Sequence, residues 1–205
     1  VARTLAKDHD AKRCAILRGA ARVFAREGCA RASMAQVARE CGVSKANLYH
    51  YHDSKDALLF AILDTYLAAL RDRLCWLELP EDPRRALLAL TTEVLLAYEG
   101  MDDEHRIQIE GMSLLPKAEA EVLKGYQRQI VDRMAEVLRR SAPELEGRAL
   151  RAATMSVFGM LNWFYIWSPG ADADARRAYA ETVTGIALGG VRQARPKAAP
   201  RIRGL

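Results

Sequence analysis

Nine residues, Ser44-Lys45-Ala46-Asn47-Leu48-Tyr49-His50-Tyr51-His52, carry a high density of hydrogen-bond donors. Such side chains suit one chemistry in particular, the recognition of phosphates and base edges, both of which accept hydrogen bonds. Lys45, just after a capping Ser44, can reach guanine O6/N7 or a phosphate. Ala46 permits close approach and can touch a thymine methyl. Asn47 and Tyr49 can donate to phosphates, and His50 to a base or a backbone oxygen. Ser33 and Lys55 flank the stretch at the first turns of neighbouring helices. There, free N–H groups and the helix dipole favour the same anion. Each residue alone also suits a solvated surface, so the case rests on their joint placement.

Other chemistries find less support. Cys14, Cys29, Cys41 and Cys75 form no CxxC pair and no Cys/His zinc spacing. They are expected to be small hydrophobes. His50 and His52 stand two apart, on different sides of a helix, and are not expected to share a metal. Asp102-Asp103-Glu104-His105 is expected to be the charged first turn of a helix. GxSxG, HExxH and phosphate-binding glycine loops are absent. The expectation is a protein that is not an enzyme and needs no cofactor or metal. No apolar run of about 18 residues suggests a membrane span. VARTLAKDHDAKR lacks the apolar stretch of a signal peptide, so a cytoplasmic location is expected.

The elements that position the donors are helical. Val, Ile and Thr do not cluster in alternating runs, and hairpin turn pairs are missing. The apolar spacing of Ile16, Ala20, Val23 and Phe24 predicts a helix over 10–27, stopped by Gly28. Ser33 with Gln36 fits a capping box for a short second helix. Gly42 ends that helix, and Ser44 caps a third over 44–51, with Leu48 and Tyr51 turned inward. A long helix follows over 54–77, broken by Pro80 and Pro83. Further helices are expected at 83–99, 102–113, 117–141, 146–168 and 172–192. Two short helices joined by a tight glycine turn make a helix-turn-helix, whose second helix enters the major groove.

Charge follows the same division. Residues 1–60 hold 11 Lys and Arg against 6 Asp and Glu, and residues 195–205 hold four basic groups and no acid. The whole chain carries +5, so the stretch between is mildly acidic. A basic head suits a polyanion, although the excess is modest. The tail RPKAAPRIRGL has little to bury and is expected to be disordered.

At this level the run from Ile16 to Leu59 resembles the N-terminal domain of the TetR family of one-component repressors. The matching residues are Ala20, Phe24 and Gly28; Ser33, Val37 and Ala38; Gly42-Val43-Ser44; Leu48-Tyr49; and Ser54, Lys55 and Leu58. His52 departs from the pattern, standing where the family usually has an aromatic, most often Phe. If it titrates, DNA affinity would depend on pH near about 6–7. The resemblance implies an all-α fold with a three-helix DNA-binding domain over 1–55 and a helical ligand-binding and dimerisation domain over 56–194. The basic tail over 195–205 follows.

For the body, Ala178, Thr182, Gly185 and Gly189 recur every three to four residues, the pattern of a close helix–helix contact. That contact falls either within one chain or, as the resemblance implies, in a homodimer on a pseudo-palindromic operator. The run TMSVFGMLNWFYIW is apolar nearly all round and is expected to be buried on every side. Asn162 within it is either a structural hydrogen-bonding group or a polar anchor in an apolar cavity. The resemblance also implies an effector pocket, for which Tyr98, Met101, Ile109, Met112, Tyr126, Met155, Phe158 and Asn162 are candidates. The sequence is similar to family members that answer to acyl-CoA thioesters. Arg106, Arg128 or Arg133 would then stand near the ligand phosphates. A non-specific architectural DNA binder, or less readily a small helical enzyme, remains the alternative.

Overall fold

The structure, a computed structural model, describes residues 2–191, with side chains for residues 9–190. The basic tail over 195–205 lies outside the described residues. The described residues form helices and no strand. In chain order these are α1 (Ala2–Glu27), α2 (Met34–Glu40), α3 (Lys45–Tyr51), α4 (Lys55–Cys75), α5 (Pro83–Ala97), α6 (Asp102–Gly111), a 3-10 turn (Met112–Leu114), α7 (Lys117–Ser141), α8 (Gly147–Asn162), α9 (Phe164–Trp167) and α10 (Ala173–Val191). Among them no helix is long and apolar enough to cross a membrane.

Most helix limits follow local signals. Ser33 and Gln36 make the capping box in both directions, and Asp82 caps α5 with Pro83 in its first turn. Two limits differ from the sequence expectation by more than two residues. Helix α1 starts at Ala2 and not near Asp10, because residues 2–9 hold no stop signal. The helix over 146–168 divides into α8 and α9 around Trp163.

The chain falls into two compact units. The first comprises Val1–Arg71 with Gly100–Gln127. Here α1 packs on α2 and α6, and α2 packs on α3. Ile16, Ala20, Phe24, Val37, Leu48, Leu58 and Ile62 are almost fully buried. Tyr66 on α4 meets His105 on α6, with hydroxyl and Nδ1 3.0 Å apart in the interior. Helix α6 opens on Asp102, Asp103 and Glu104. The Glu104 carboxyl is buried, which pushes its pKa up.

The second unit comprises Asp72–Glu99 with Arg128–Leu205. Its main contact is α10 on α5, with α8 packed on both. The Thr91 and Thr184 hydroxyls meet at 3.0 Å between α5 and α10. Arg176 is 1% exposed, and its guanidinium donates to the Leu95 and Ala171 carbonyls. The apolar run around α8 and α9 is not covered on every side. Val157, Phe158, Leu161 and Phe164 are buried, whereas Met155, Trp163, Ile166 and Trp167 are exposed. The helical stripe buries one face within the unit and leaves the other open.

Candidate nucleic-acid interface and effector residues

The turn between α2 and α3 sets the aim of the donor-rich helix. Gly42 has φ +63°, a conformation that costs a side-chain-bearing residue energy. Its N–H donates to Arg39 O at 3.2 Å, and that of Val43 to Ala38 O at 3.0 Å. These two bonds close the end of α2 in a Schellman arrangement. Ser44 then accepts the Asn47 N–H at 3.1 Å and starts α3.

Seven residues cannot hold a helix in water unaided. Leu48, 0% exposed, anchors α3 to the head, a burial that contributes about 1.5–3 kcal/mol. With Leu48 inward, the other side faces solvent. Ser44, Lys45, Ala46, Tyr49 and His50 are exposed, and Asn47 is half-buried. The Lys45 ammonium lies 5.8 Å from the Tyr49 ring centroid, so two of the donors already share one patch.

The two flanking residues have partners within the head. Ser33 is exposed, and its hydroxyl serves the capping box with Gln36. Lys55 Nζ donates to Cys29 O at 3.1 Å and Ala30 O at 2.8 Å, tying the start of α4 to the turn after α1. A local sequence window shows the lysine but not those carbonyls, 25 and 26 residues away. All eight candidate DNA contacts lie in the first unit.

His52 is 6% exposed, and its Nε2 has no hydrogen-bond partner. Burial pushes its pKa down, the Arg13 charge adds to this, and Asp53 opposes it. Tyr51 is half-buried; the ring of His9 on α1 stacks on it at 4.8 Å. His9 lies just before the helix that the sequence predicts over 10–27, so local spacing does not place it beside α3. The helix-forming composition of residues 2–9 was the available signal. Cys29 is buried, Cys41 and Cys75 half-buried, and Cys14 exposed. Among the described residues no His/Cys/Asp/Glu group could hold a metal.

The effector candidates divide between the units. Met101, Ile109, Met112 and Tyr126 belong to the first. Met101 and Ile109 are exposed, and Tyr126 donates to Asp64 Oδ1 at 3.1 Å. Tyr98, Met155, Phe158 and Asn162 belong to the second. There the Tyr98 hydroxyl donates to Asn162 Oδ1 at 2.9 Å. Burial raises the Tyr98 phenol pKa, keeping the donor protonated. Of the basic candidates, Arg106 and Arg128 are exposed, and Arg133 donates to Leu77 O and Glu136. Ala178, Thr182, Gly185 and Gly189 are all exposed on α10.

A capped two-turn helix that hides one leucine and presents its donors outward, on a braced three-helix head, defines a helix-turn-helix DNA-binding regulator. Residues 16–62 match the family model described as bacterial regulatory proteins, tetR family, and residues 80–193 match that of the tetracyclin repressor-like C-terminal domain. The chain belongs to the TetR family of transcriptional regulators. A TetR-family transcriptional regulator from Bordetella parapertussis 12822 is 30% identical with a TM-score of 0.78, over 86% of this chain and 93% of that one. The fold also matches AibR in complex with isovaleryl coenzyme A and operator DNA, at 22% identity and a TM-score of 0.71, over 85% of this chain and 97% of that one. The HTH-type transcriptional regulator BetI of Rhizobium meliloti (strain 1021) is 39% identical over 61 residues, 30% of the length of each protein.

Proposed function

We propose that this DNA-binding regulator acts as a homodimeric repressor on a pseudo-palindromic operator and is released by a hydrophobic small-molecule effector, most specifically an acyl-CoA. The observation that carries the operator reading is the orientation of α3. Leu48 is fully buried, while Lys45, Ala46, Tyr49 and His50 face out. That is how a helix is seated to present side chains to a groove. The dimer is supported by the exposed small residues of α10 and by the exposed Trp163, Ile166, Trp167 and Ile186. Large apolar side chains grouped in the open mark an interaction surface.

The effector reading rests on the hydrogen bond between buried Tyr98 and half-buried Asn162, and on AibR, which holds isovaleryl coenzyme A in its own structure. Such a pair gives a thioester or amide a place to bond in an otherwise apolar setting. To move operator occupancy from 99:1 to 1:99 the ligand must favour the released state by about 5.5 kcal/mol.

The test is selection of a randomised duplex library on the purified protein. Enrichment of a pseudo-palindrome is expected, and salt-dependent binding with no enriched sequence would replace specific control by architectural binding. Acyl-CoAs of graded chain length are then titrated against the complex. Release at micromolar concentration is expected, with Asn162→Ala requiring at least ten-fold more ligand. No release by any acyl-CoA, and no heat in calorimetry, would remove that ligand class.

A further inference from the structure

Helix α1 begins long before its hydrophobic core does. Residues 9–15 are all exposed, and Ile16 is the first described residue of α1 to be buried. A helical stretch so exposed gains little from packing and is marginal in water. It makes one aromatic contact, the His9 ring stacked on Tyr51 at 4.8 Å with 29° between the planes. Tyr51 is the last residue of α3. The exposed turns of α1 therefore run beside the end of the helix that faces DNA.

Their charge is one-sided. His9, Lys12, Arg13 and Ile16 recur at the spacing that puts residues on one helix face. Asp10, Ala11, Cys14 and Ala15 fall on the other sides. The face that carries His9 is thus basic, with Asp10 on its flank three residues before Arg13. Lys12 and Arg13 are exposed, and among the described residues no ion pair holds either of them. Arg13 is near enough to α3 for its charge to bear on His52. A basic stripe beside a helix that faces a polyanion matches the backbone as it leaves the groove.

We propose that His9, Lys12 and Arg13 form a second DNA contact surface, which holds phosphates flanking the half-site that α3 reads. This rests on the assignment of α3 as the reading helix. The occupant is the sugar–phosphate backbone of the same operator. Continuity through the His9–Tyr51 stack and complementary charge support it. Phosphate contacts fix register and add affinity but carry no base information, so this face should strengthen binding without changing the sequence preferred.

The test compares operator binding by the full-length protein and its Lys12→Gln/Arg13→Gln variant over a salt series. Both side chains are exposed, so the variant should fold, as circular dichroism would verify. Each lost phosphate contact reduces the slope of log K against log salt by about 0.9, so the variant should be shallower by about 1.8 per half-site. Its preference for operator over scrambled duplex should stay unchanged. Ethylation interference should show flanking phosphates protected by wild type and open in the variant, and His9→Ala should give the same pattern more weakly. Unchanged slope and unchanged flanking protection would overturn the proposal. Lys45→Ala separates it from its premise: loss of operator preference supports α3 as reader, whereas full retention would remove that assignment and the flanking surface with it.

Discussion

His52 is a buried imidazole whose Nε2 lacks a partner, at a position where the resemblance leads one to expect Phe. Burial first, and the Arg13 charge second, make its protonated form unfavourable in the folded head. Its folded pKa thus lies below the unfolded value near 6.5. Between the two values the unfolded chain binds a proton that the folded chain does not. Stability therefore rises with pH through that window, is fully present above about 6.5, and is lost as pH falls. Wild type should lose more melting temperature between pH 7 and pH 5 than His52→Phe does. The variant should also be more stable at pH 7, by about 1–3 kcal/mol, because no buried nitrogen is left unbonded. Parallel melting curves across that range would refute this account. The proposed dependence of DNA affinity on this histidine shifts to lower pH with it.

At the scale of elements, the short helices were legible because their limits are local. Ser33, Gln36, Gly42 and Ser44 announce themselves within four residues of the group they cap. The close approach of helices was not legible. A Cβ added at Gly19 on α1 would stand 2.5 Å from Cys41 Sγ, at the C-cap of α2. Gly19→Ala should therefore destabilise the head by about 1–3 kcal/mol. Cys41→Ala removes the offending sulfur, and the neighbouring Cβ would then lie 3.8 Å away. The double variant should recover most of the loss. Urea denaturation of the two single variants and the double decides it, and strictly additive losses would show that the two side chains do not meet.

The whole molecule carries the dimer prediction. A Cβ at Gly185 meets nothing within 4 Å in the single chain. The first side-chain carbon of Gly185→Arg thus has room within the protomer, and the exposed position lets the rest of the arginine reach outward, where it would obstruct a second copy. Sedimentation should show wild type at twice the 22.8 kDa chain mass and the variant at the single mass. Operator affinity should fall by at least a hundred-fold, since one half-site contact replaces two linked ones. A variant that remains dimeric and binds DNA would place the interface elsewhere.

The sequence by itself determined the helical class, the caps, the helix-turn-helix and the face of α3 that turns outward. All of these follow from periodicity and from hydrogen bonds spanning a few residues. Tertiary structure alone decided which polar groups meet. Lys55 reaches Cys29 and Ala30, Tyr66 reaches His105, Tyr98 reaches Asn162, and His9 stacks on Tyr51. The partners lie 25 to 64 residues apart in the hydrogen-bonded cases. No local window specifies such pairs, because they depend on how helices cross. Crossing in turn is set by the shapes of buried side chains throughout each unit.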